Sequence, residues 1–319
     1  MPTEADGIIM RIIVTGAAGF IGFHLSRRLL GAGHEVIGID SMTTGSPANA
    51  ADLRRLPNFS FLKQDIVNLP AIDGQVSRIY NMACPASPVD FRDKALEIMA
   101  TCSTGVRNLL ELARQKNALF LQASTSECYG DPLEHPQPET YFGNVNPIGP
   151  RAPYDEGKRF AEALTMSYHR LHGVPTRIVR IFNTYGPRMR ADDGRMLPTF
   201  IMQALAGRPL SVHGDGSQTR SFCYVDDLVE AILRVADSDF SEPINIGNDA
   251  EITIRQAAEA VIELTGSSSK IEYVARPVND PERRRPDLTR ARSVLGWSPV
   301  MPWRDGFART IQSFKSTGS

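Results

Sequence analysis

The stretch Met10-Arg11-Ile12-Ile13-Val14-Thr15-Gly16-Ala17-Ala18-Gly19-Phe20-Ile21-Gly22 predicts how this chain folds. Residues 10–14 form a short, branched apolar run that is typical of a buried strand. Glycines spaced Gly-x-x-Gly-x-x-Gly follow at once, and an amphipathic helix then runs to about Leu30. A strand, a glycine turn and a helix in this order place the helix N–H groups at a pyrophosphate, so the stretch predicts a dinucleotide site. The residues expected to hold the pyrophosphate are Gly16, Gly19, Phe20, Ile21 and Gly22.

A second predicted strand, residues 35–39, ends at Asp40. A carboxylate at this point accepts hydrogen bonds from both ribose hydroxyls and repels a 2′-phosphate, so NAD is favoured over NADP. Further short apolar runs alternate with helical segments, which predicts right-handed βαβ units. We therefore expect an α/β fold, a Rossmann-type doubly wound parallel sheet with a smaller C-terminal α/β substrate domain. The further predicted strands are residues 59–62, 78–82, 118–122 and 176–182, and the longest helical segments are 94–115 and 154–172.

The composition changes after Pro187, where polar, Arg-rich loops begin at 188–195, 214–220 and 280–287. We therefore predict an NAD-binding Rossmann domain over residues 1–187 and a mainly substrate-binding domain over 188–319. A helical pattern at 225–235 and a strand pattern at 244–247 predict that the chain returns to the first domain at about 224–250.

Tyr154 and Lys158 are four residues apart in a helical segment and so share one helix face. Bringing the pKa of a phenol from about 10 to about 7 requires roughly 4 kcal/mol. One cation at ~4 Å supplies about that much at an effective dielectric constant of ~20. Lys158 is placed to be that cation, and an oxidised nicotinamide would be a second. The pair suits a base that takes a proton from a hydroxyl while hydride leaves the same carbon. The alternative is a surface helix that happens to carry Tyr and Lys.

Composition excludes several classes of partner. The chain has 319 residues and a net charge of -1, which gives no reason to expect nucleic acid or an anionic membrane as a partner. No apolar run reaches transmembrane length.

The sequence also gives no sign of a metal site. His169 and His172 lie three residues apart without a third ligand near in sequence, so we expect no metal. The cysteines are scattered without a C-x-x-C pair, which favours a reducing compartment, the cytoplasm, over a zinc site or a disulfide framework. They are Cys84, Cys102, Cys128 and Cys223.

Together, the glycine turn, Asp40 and Tyr154-x-x-x-Lys158 resemble the extended short-chain dehydrogenase/reductase superfamily that acts on nucleotide sugars. Other blocks narrow the resemblance to the UDP-glucuronate decarboxylase (UDP-xylose synthase) family. Together with the first strand and its glycine turn, they make the resemblance extend over almost the whole chain. These blocks are Ser124-Thr125-Ser126-Glu127-x-Tyr129-Gly130-Asp131-Pro132, Asn146-Pro147-Ile148-Gly149-Pro150-Arg151-Ala152, Tyr154-Asp155-Glu156-Gly157-Lys158-Arg159, Arg180-Ile181-Phe182-Asn183-Thr184-Tyr185-Gly186-Pro187-Arg188-Met189, Gly216-Ser217-Gln218-Thr219-Arg220 and Asp280-Pro281-Glu282-Arg283-Arg284-Arg285-Pro286-Asp287.

The resemblance implies that one bound NAD serves the whole reaction of UDP-glucuronate. Tyr154 would deprotonate the 4-hydroxyl as hydride leaves C4, and the resulting β-keto acid would lose CO₂. The enolate would be protonated at C5, and return of the hydride to C4 would give UDP-xylose. The resemblance also implies a homodimer in which the helices at 94–115 and 154–172 pair across a two-fold axis.

The resemblance carries roles onto individual residues. Thr125 would bond the 4-oxygen, Ser126 and Glu127 would position the ring and its water, and Arg284 would lie by the carboxylate. The catalytic set is Thr125, Ser126, Glu127, Tyr154, Lys158 and Arg284. Further cofactor contacts would come from Asp40, Asp65, Ile66, Ala83, Thr101, Ala123, Tyr154, Lys158 and Thr184. The substrate contacts would be Pro85, Ser126, Asn183, Arg195, Arg220 and Arg284.

Some residues depart from the resembled pattern. Relatives usually have lysine and asparagine where this chain has Ala100 and Cys102, and their Tyr- and Pro-rich segment is here 89–95. The missing lysine puts the fate of the 4-keto intermediate in question, so UDP-4-keto-xylose is a second expected product.

The alternatives to a decarboxylase are a UDP-hexuronate 4-epimerase, a nucleotide-sugar 4,6-dehydratase, or a non-enzymatic binding module. Dehydratases place an aspartic acid at the position of Ser126, to protonate the leaving hydroxyl. The Ser126 hydroxyl has no comparable acidity, so elimination of water is disfavoured in this chain.

Overall fold

The computed structural model describes residues 8–275 and 283–317. Its helices, in chain order, are α1 (Phe20–Gly31), α2 (Pro47–Arg54), α3 (Asp90–Asp93), α4 (Ala95–Ala100), α5 (Val106–Lys116), α6 (Ala152–His172), α7 (Met196–Leu205), α8 (Val225–Asp237), α9 (Ile254–Thr265), α10 (Thr289–Leu295) and α11 (Trp303–Thr317). A π-helical turn, Thr101–Gly105, joins α4 to α5. The strands are β1 (Arg11–Thr15), β2 (Glu35–Asp40), β3 (Phe59–Lys63), β4 (Arg78–Asn81), β5 (Leu119–Thr125), β6 (Thr176–Ile181), β7 (Thr184–Tyr185), β8 (Leu210–His213), β9 (Thr219–Ser221), β10 (Cys223–Tyr224), β11 (Pro243–Ile246), β12 (Glu251–Thr253), β13 (Ile271–Val274) and β14 (Arg283–Arg284).

Seven strands form one sheet in the order β3-β2-β1-β4-β5-β6-β11, and every neighbouring pair is parallel. Helices cover both faces, which explains why β1 is apolar without alternation: Ile12, Ile13 and Val14 are all fully buried. The strand order reverses between β1 and β4, and ligands of such sheets bind beyond the carboxyl ends of the strands at this point. The predicted strands and the predicted fold class are confirmed.

The chain returns to the large sheet through α8 and β11, and β11 pairs with β6. Three small sheets lie beyond it, in the orders β12-β9-β14, β13-β8 and β10-β7. Two of the segments predicted as loops therefore contain short strands, because β9 pairs antiparallel with β12 and parallel with β14. Runs of two or three residues are too short to show a periodicity. Asp280-Pro281-Glu282, at the start of one predicted block, lies outside the described residues.

One hydrophobic core crosses the predicted domain boundary. Val14 and Leu121 of the large sheet belong to the same buried cluster as Phe200, Val261 and Phe307 of α7, α9 and α11. The two predicted domains thus pack as one body around a cleft, and their exact division stays a prediction. Over residues 8–275 and 283–317, no helix is long and apolar enough to cross a membrane. In the same ranges, no three His, Cys, Asp or Glu side chains converge as metal ligands.

Candidate active site

Three adjoining clefts at the carboxyl edge of the large sheet hold the residues singled out in the sequence. The central cleft lies between α1, β5 and α6, and its predicted residues are Gly16, Gly19, Phe20, Ile21, Gly22, Ala123, Thr125, Ser126, Glu127, Tyr154, Lys158, Asn183, Thr184 and Arg195. The β2 cleft is lined by Gly16, Gly19, Asp40, Asp65, Ile66, Ala83, Pro85 and Thr101. The arginine cleft is lined by Glu127, Asn183, Thr184, Arg195, Arg220 and Arg284. Pro85, predicted to touch substrate, lies beside predicted cofactor residues in the β2 cleft, and its role stays a prediction.

Two glycine positions of the turn, Gly16 and Gly22, leave no room for a side chain. Gly16 has φ +66°, and a Cβ there would lie 2.9 Å from the Met82 backbone. A Cβ on Gly22 would lie 2.1 Å from the Gly16 carbonyl oxygen, so this glycine lets α1 approach the turn. No side chain caps the first turn of α1 and no acidic residue lies in it, which leaves the positive end of the helix for an anion. The turn therefore fits the pyrophosphate of a dinucleotide.

Asp40 ends β2 and lines the β2 cleft with its carboxylate almost buried. One oxygen accepts from the Ala18 N–H at 2.9 Å and the other from the Met42 N–H at 2.8 Å. Burial raises the pKa of Asp40, and these backbone hydrogen bonds oppose the rise. Each carboxylate oxygen can accept a second hydrogen bond. Asp40 therefore both fixes the glycine turn and fits ribose hydroxyls.

Tyr154 and Lys158 lie one turn apart on α6 and are both buried. The Lys158 Nζ lies 5.7 Å from the centre of the Tyr154 ring and donates to the Ala123 carbonyl at 2.9 Å. Ala123 and Thr125 belong to β5, so the strand end fixes the lysine beside the phenol. The predicted pairing of a phenol and a cation on one helix face is present.

The pKa of Tyr154 differs from the expectation drawn from Lys158 alone. Burial raises this pKa, and the Lys158 charge and a hydrogen bond with Thr125 only oppose that rise. Desolvation of the phenolate outweighs one nearby ammonium, because the ring lies in an apolar pocket. The described residues alone thus keep Tyr154 protonated at neutral pH. A further positive charge in the central cleft, such as an oxidised nicotinamide, would favour the phenolate.

Glu127 lies between two arginines at the junction of the central and arginine clefts. Arg151 Nη2 donates to Oε2 at 2.6 Å, and Arg284 Nη1 donates to Oε1. Burial would raise the pKa of Glu127, but the two guanidinium groups outweigh it and hold this pKa at about 2. The carboxylate is therefore charged at neutral pH and is a poor proton donor to a leaving hydroxyl.

A short strand places the arginines of the arginine cleft. β14 pairs with β9 so that Arg284 lies in register with Arg220. Arg284 also donates to the Gly130 carbonyl at 3.2 Å, while its buried Nε has no partner among the described residues. The arginine cleft thus collects cations near Glu127, which suits an anionic diphosphate or carboxylate.

Asp155 is a residue whose role the sequence reasoning missed. It is buried beside Tyr154 on α6, its Oδ2 lies 3.9 Å from Arg151 Nε, and its Oδ1 has no partner in the described part of the chain. Burial and repulsion from Glu127 raise its pKa to about 7, although Arg151 opposes the rise. Asp155 therefore titrates near neutral pH, and only its position next to Tyr154 could have signalled it.

Phe91 was also missed. It lies on α3, within the segment that departs from the resembled family, and lines the central cleft. Arg151, the N-cap residue just before α6, lies with its Cζ 5.3 Å from the centre of the Phe91 ring. Phe91 thus closes one side of the site, and no motif marks it because its partners come from distant segments.

Comparison with known proteins agrees with this geometry. Residues 12–247 match the NAD dependent epimerase/dehydratase family. The chain is 48% identical over 307 residues to UDP-glucuronic acid decarboxylase 1 of Arabidopsis thaliana, covering 96% of this chain and 70% of that protein.

Two solved structures with bound NAD have the same fold. One is the UDP-glucuronic acid 4-epimerase of Bacillus cereus in complex with UDP-glucuronic acid (TM-score 0.85, 28% identity, 97% of this chain and 100% of that one). The other is a dTDP-glucose 4,6-dehydratase of Streptomyces venezuelae (TM-score 0.87, 29% identity, 96% and 97%). The chain therefore belongs to the NAD dependent epimerase/dehydratase family and, within it, to the UDP-glucuronic acid decarboxylases.

Proposed function

We propose that this enzyme converts UDP-glucuronate to UDP-xylose and CO₂ through a 4-keto intermediate. The observation that carries the proposal is Glu127, held ionised between Arg151 and Arg284 where the central and arginine clefts meet. The site thus combines a buried Tyr–Lys pair with arginines at the place where a substrate carboxylate would lie. Sequence identity to the decarboxylases supports the same conclusion.

Bound NAD supplies a hydride acceptor for C4 and, after CO₂ has left, the hydride that returns there. Gly16, Gly19 and the first turn of α1 would hold its pyrophosphate, and Asp40 its adenosine ribose. Asp40 predicts NAD in preference to NADP, and equal affinity for both by calorimetry would argue against that role.

The proton on the 4-hydroxyl leaves to Tyr154. Thr125 hydrogen-bonds Tyr154 and would also bond the 4-oxygen, which aligns donor and acceptor. Lys158 stabilises the phenolate from inside the protein. Burial raises the pKa of Tyr154, so the positive charge of an oxidised nicotinamide in the central cleft would, with Lys158, favour the phenolate that acts as the base.

Loss of CO₂ needs no strong acid or base, because a 4-keto group makes the C5 carboxylate that of a β-keto acid. The side chains therefore have two tasks: to hold the substrate carboxylate, and to avoid promoting the elimination of a hydroxyl as water. The Ser126 hydroxyl and Arg284 suit the first task, with Arg284 exchanging Glu127 for substrate. Glu127, with its pKa near 2, remains an acceptor that would position the water that protonates C5.

The arginine cleft suits the UDP group. Arg195 donates to the Ala86 carbonyl and pairs with Asp193, and Arg220 donates to the Thr219 carbonyl, so both cations are held in place. Asn183, just beyond β6, would contact the sugar. Arginines within the cleft are required to bind the diphosphate, because the net charge of the chain, -1, provides no overall attraction for an anion.

The direct test is incubation of the purified protein with NAD and UDP-glucuronate. The products are separated by chromatography against UDP-glucuronate and UDP-galacturonate standards, which have the same mass, and are then read by mass spectrometry. We expect loss of CO₂ from the substrate and a pentose product. UDP-glucose, which lacks the carboxylate, is the control and should lose no mass. Formation of UDP-galacturonate without CO₂ would instead identify a 4-epimerase, and loss of water would identify a dehydratase.

We also propose a homodimer formed through α4, α5 and α6. α4 packs against α6, and the two helices leave apolar side chains exposed: Leu96, Met99, Phe160 and Leu171. Sedimentation at micromolar concentration should give twice the mass of 35.1 kDa. Leu171→Glu should weaken the dimer and Val300→Glu, at an equally exposed position outside these helices, should not. A monomeric wild type would exclude the proposal.

We propose a cytoplasmic location. The support is the sequence, whose four cysteines are scattered without a C-x-x-C pair, as suits a reducing compartment. Fractionation of the source cells tests this.

A further inference from the structure

Two cysteines lie against each other in the wall shared by the central cleft and the β2 cleft. Cys84 follows β4 and lines both clefts, and Cys102 is buried in the π-helical turn between α4 and α5. Their Sγ atoms are 3.6 Å apart. A disulfide needs about 2.05 Å between sulfurs, so a shift of about 1.5 Å would join them.

The charges around the pair separate the roles of the two sulfurs. A hydrogen bond from Cys102 and the charge of Lys158 lower the pKa of Cys84 to about 7, although burial opposes this. The same hydrogen bond and burial raise the pKa of Cys102. Tyr154 is the other titratable group of α6 near Cys84. Cys84 is therefore the thiolate that reacts, and Cys102 keeps its proton until a second step.

Packing connects the pair to the catalytic helix. A Cβ on Gly157 would lie 3.2 Å from the Cys102 Cβ, so the thiol sits directly against α6 between Tyr154 and Lys158. Cys102 shares a small buried cluster with Phe91, Ile98 and Tyr154. Cys102 also stands where the resembled family usually has asparagine. The dithiol is thus a feature of this chain. Because Cys102 packs against α6, movement of either sulfur should displace Tyr154, the candidate base.

We propose that Cys84 and Cys102 form a reactive dithiol that is oxidised by low-molecular-weight disulfides, and that the oxidised pair inactivates the enzyme. The Cys84 thiolate attacks one sulfur of the disulfide and releases one thiolate, which leaves a mixed disulfide. Cys102 loses its proton to solvent and attacks the Cys84 sulfur, releasing the second thiolate. The protein dithiol thereby loses two electrons and two protons, and the external disulfide becomes two thiols.

Inactivation follows from the position of the sulfurs. Oxidation removes the thiolate that faces Lys158 and shifts the loop after β4, where both clefts meet. Bound dinucleotide should shield Cys84, because Cys84 lines both clefts that the cofactor would occupy. This shielding rests on the proposed function, whereas formation of the disulfide does not.

The test treats the full-length enzyme with oxidised glutathione, alkylates the remaining thiols with iodoacetamide and digests the protein with trypsin. The expected species joins the peptide of residues 79–92 to that of residues 95–107, two hydrogens lighter than their sum. Activity should fall in step with this species and return with dithiothreitol. Alkylation of both cysteines in full, at a glutathione ratio that oxidises a thioredoxin-type dithiol, would overturn the proposal.

Variants separate the two steps. Cys102→Ser should stop at a stable mixed disulfide on Cys84, and Cys84→Ser should take up no glutathione. Cys223→Ser, at a fully buried cysteine outside the clefts, should still form the cross-link. A mixed disulfide that persists on Cys84 in the wild type would exclude Cys102 as the resolving thiol.

Two rate measurements complete the test. The rate of Cys84 modification should rise about tenfold from pH 6 to pH 8, as expected for a thiolate with a pKa near 7. Saturating NAD should slow it at least tenfold. Cross-linking that NAD does not slow would retain the dithiol but overturn the placement of the cofactor beside it.

Discussion

Phe91 stacks on Tyr154 with ring centres 4.7 Å apart and ring planes 15° apart. The contact joins the short helix α3 to the helix that carries the candidate base. It covers one face of the phenol with an apolar ring, which contributes to the burial that raises the pKa of Tyr154. Phe91 is thus a positioning residue that orients the phenol and keeps it dry.

Replacing Phe91 with alanine should therefore affect catalysis more than binding. We expect Phe91→Ala to lower the free energy of unfolding by about 3 kcal/mol, as for other buried aromatic truncations. The turnover number should fall while KM for UDP-glucuronate changes little. Phe91→Tyr keeps the stack and should restore most of both quantities. An unchanged turnover number in the alanine variant would mean that the stack does not position Tyr154.

Tyr154→Phe should abolish oxidation at C4 and leave UDP-sugar binding near normal, because it removes the transferable proton but keeps the ring. Removal of a general base costs about 10²–10⁴-fold in rate. Tyr168→Phe is the matched control on the same helix, where the hydroxyl donates to Glu111 outside the described clefts. Turnover by single-turnover kinetics and binding by calorimetry check the prediction. Substantial turnover in Tyr154→Phe would assign the base to another residue.

Glu127 should contribute stability that acid removes. Its pKa lies at about 2 in the folded protein, below the ordinary 4.5, so its contribution is present above pH ~4.5 and is lost as the pH falls through 2. The full effect is about 3 kcal/mol at ~1.36 kcal/mol per pKa unit. Urea unfolding of wild type and Glu127→Gln from pH 3 to pH 8 measures it. With Asp155→Asn in both proteins, which removes the coupled titration of Asp155, the stability difference should be constant above pH 5 and should shrink towards pH 3. A difference that grows in acid would contradict the ion pairs.

The contribution of Asp155 to the free energy of unfolding should depend on pH with the opposite sign. Its pKa rises from 3.8 to about 7 on folding, so the protonated form contributes stability below pH ~4, which is lost as the pH rises through 7. Relative to Asp155→Asn, the wild type should lose up to about 4 kcal/mol between pH 4 and pH 8. Asp239→Asn, at a fully exposed carboxylate, is the control. A flat difference across this range would mean that Asp155 is ionised throughout.

Ala100 should affect the product. It ends α4 at the position where the resembled family usually has lysine, and it is not among the residues that line the described clefts. The lysine that the resemblance implies here would add a charge-assisted contact of about 1.5–3 kcal/mol, so without it the 4-keto pentose should dissociate roughly 10- to 100-fold faster. We expect UDP-4-keto-xylose beside UDP-xylose, with the enzyme left holding NADH. Ala100→Lys should raise the UDP-xylose fraction in a time course with catalytic enzyme. UDP-xylose as the only wild-type product, with no effect of added NAD, would contradict this.

The parts of the site that the sequence alone predicted are those made by neighbouring residues. The glycine turn, Asp40 at a strand end and the Tyr154–Lys158 spacing each lie within one strand, turn or helix. Hydrophobic periodicity and fixed helical geometry place such residues without knowledge of the rest of the chain. The family blocks located Ser126, Glu127 and Arg284 as well, but not what they contact.

Only the tertiary structure decided which distant side chains meet. Glu127 and Arg284 are 157 residues apart, and their contact depends on the pairing of the two-residue strand β14 with β9. The Phe91–Tyr154 stack and the Cys84–Cys102 pair likewise join elements whose packing no local pattern specifies. The same packing sets the pKa of Tyr154, because desolvation depends on everything that surrounds the phenol, whereas the sequence indicates only the lysine one turn away.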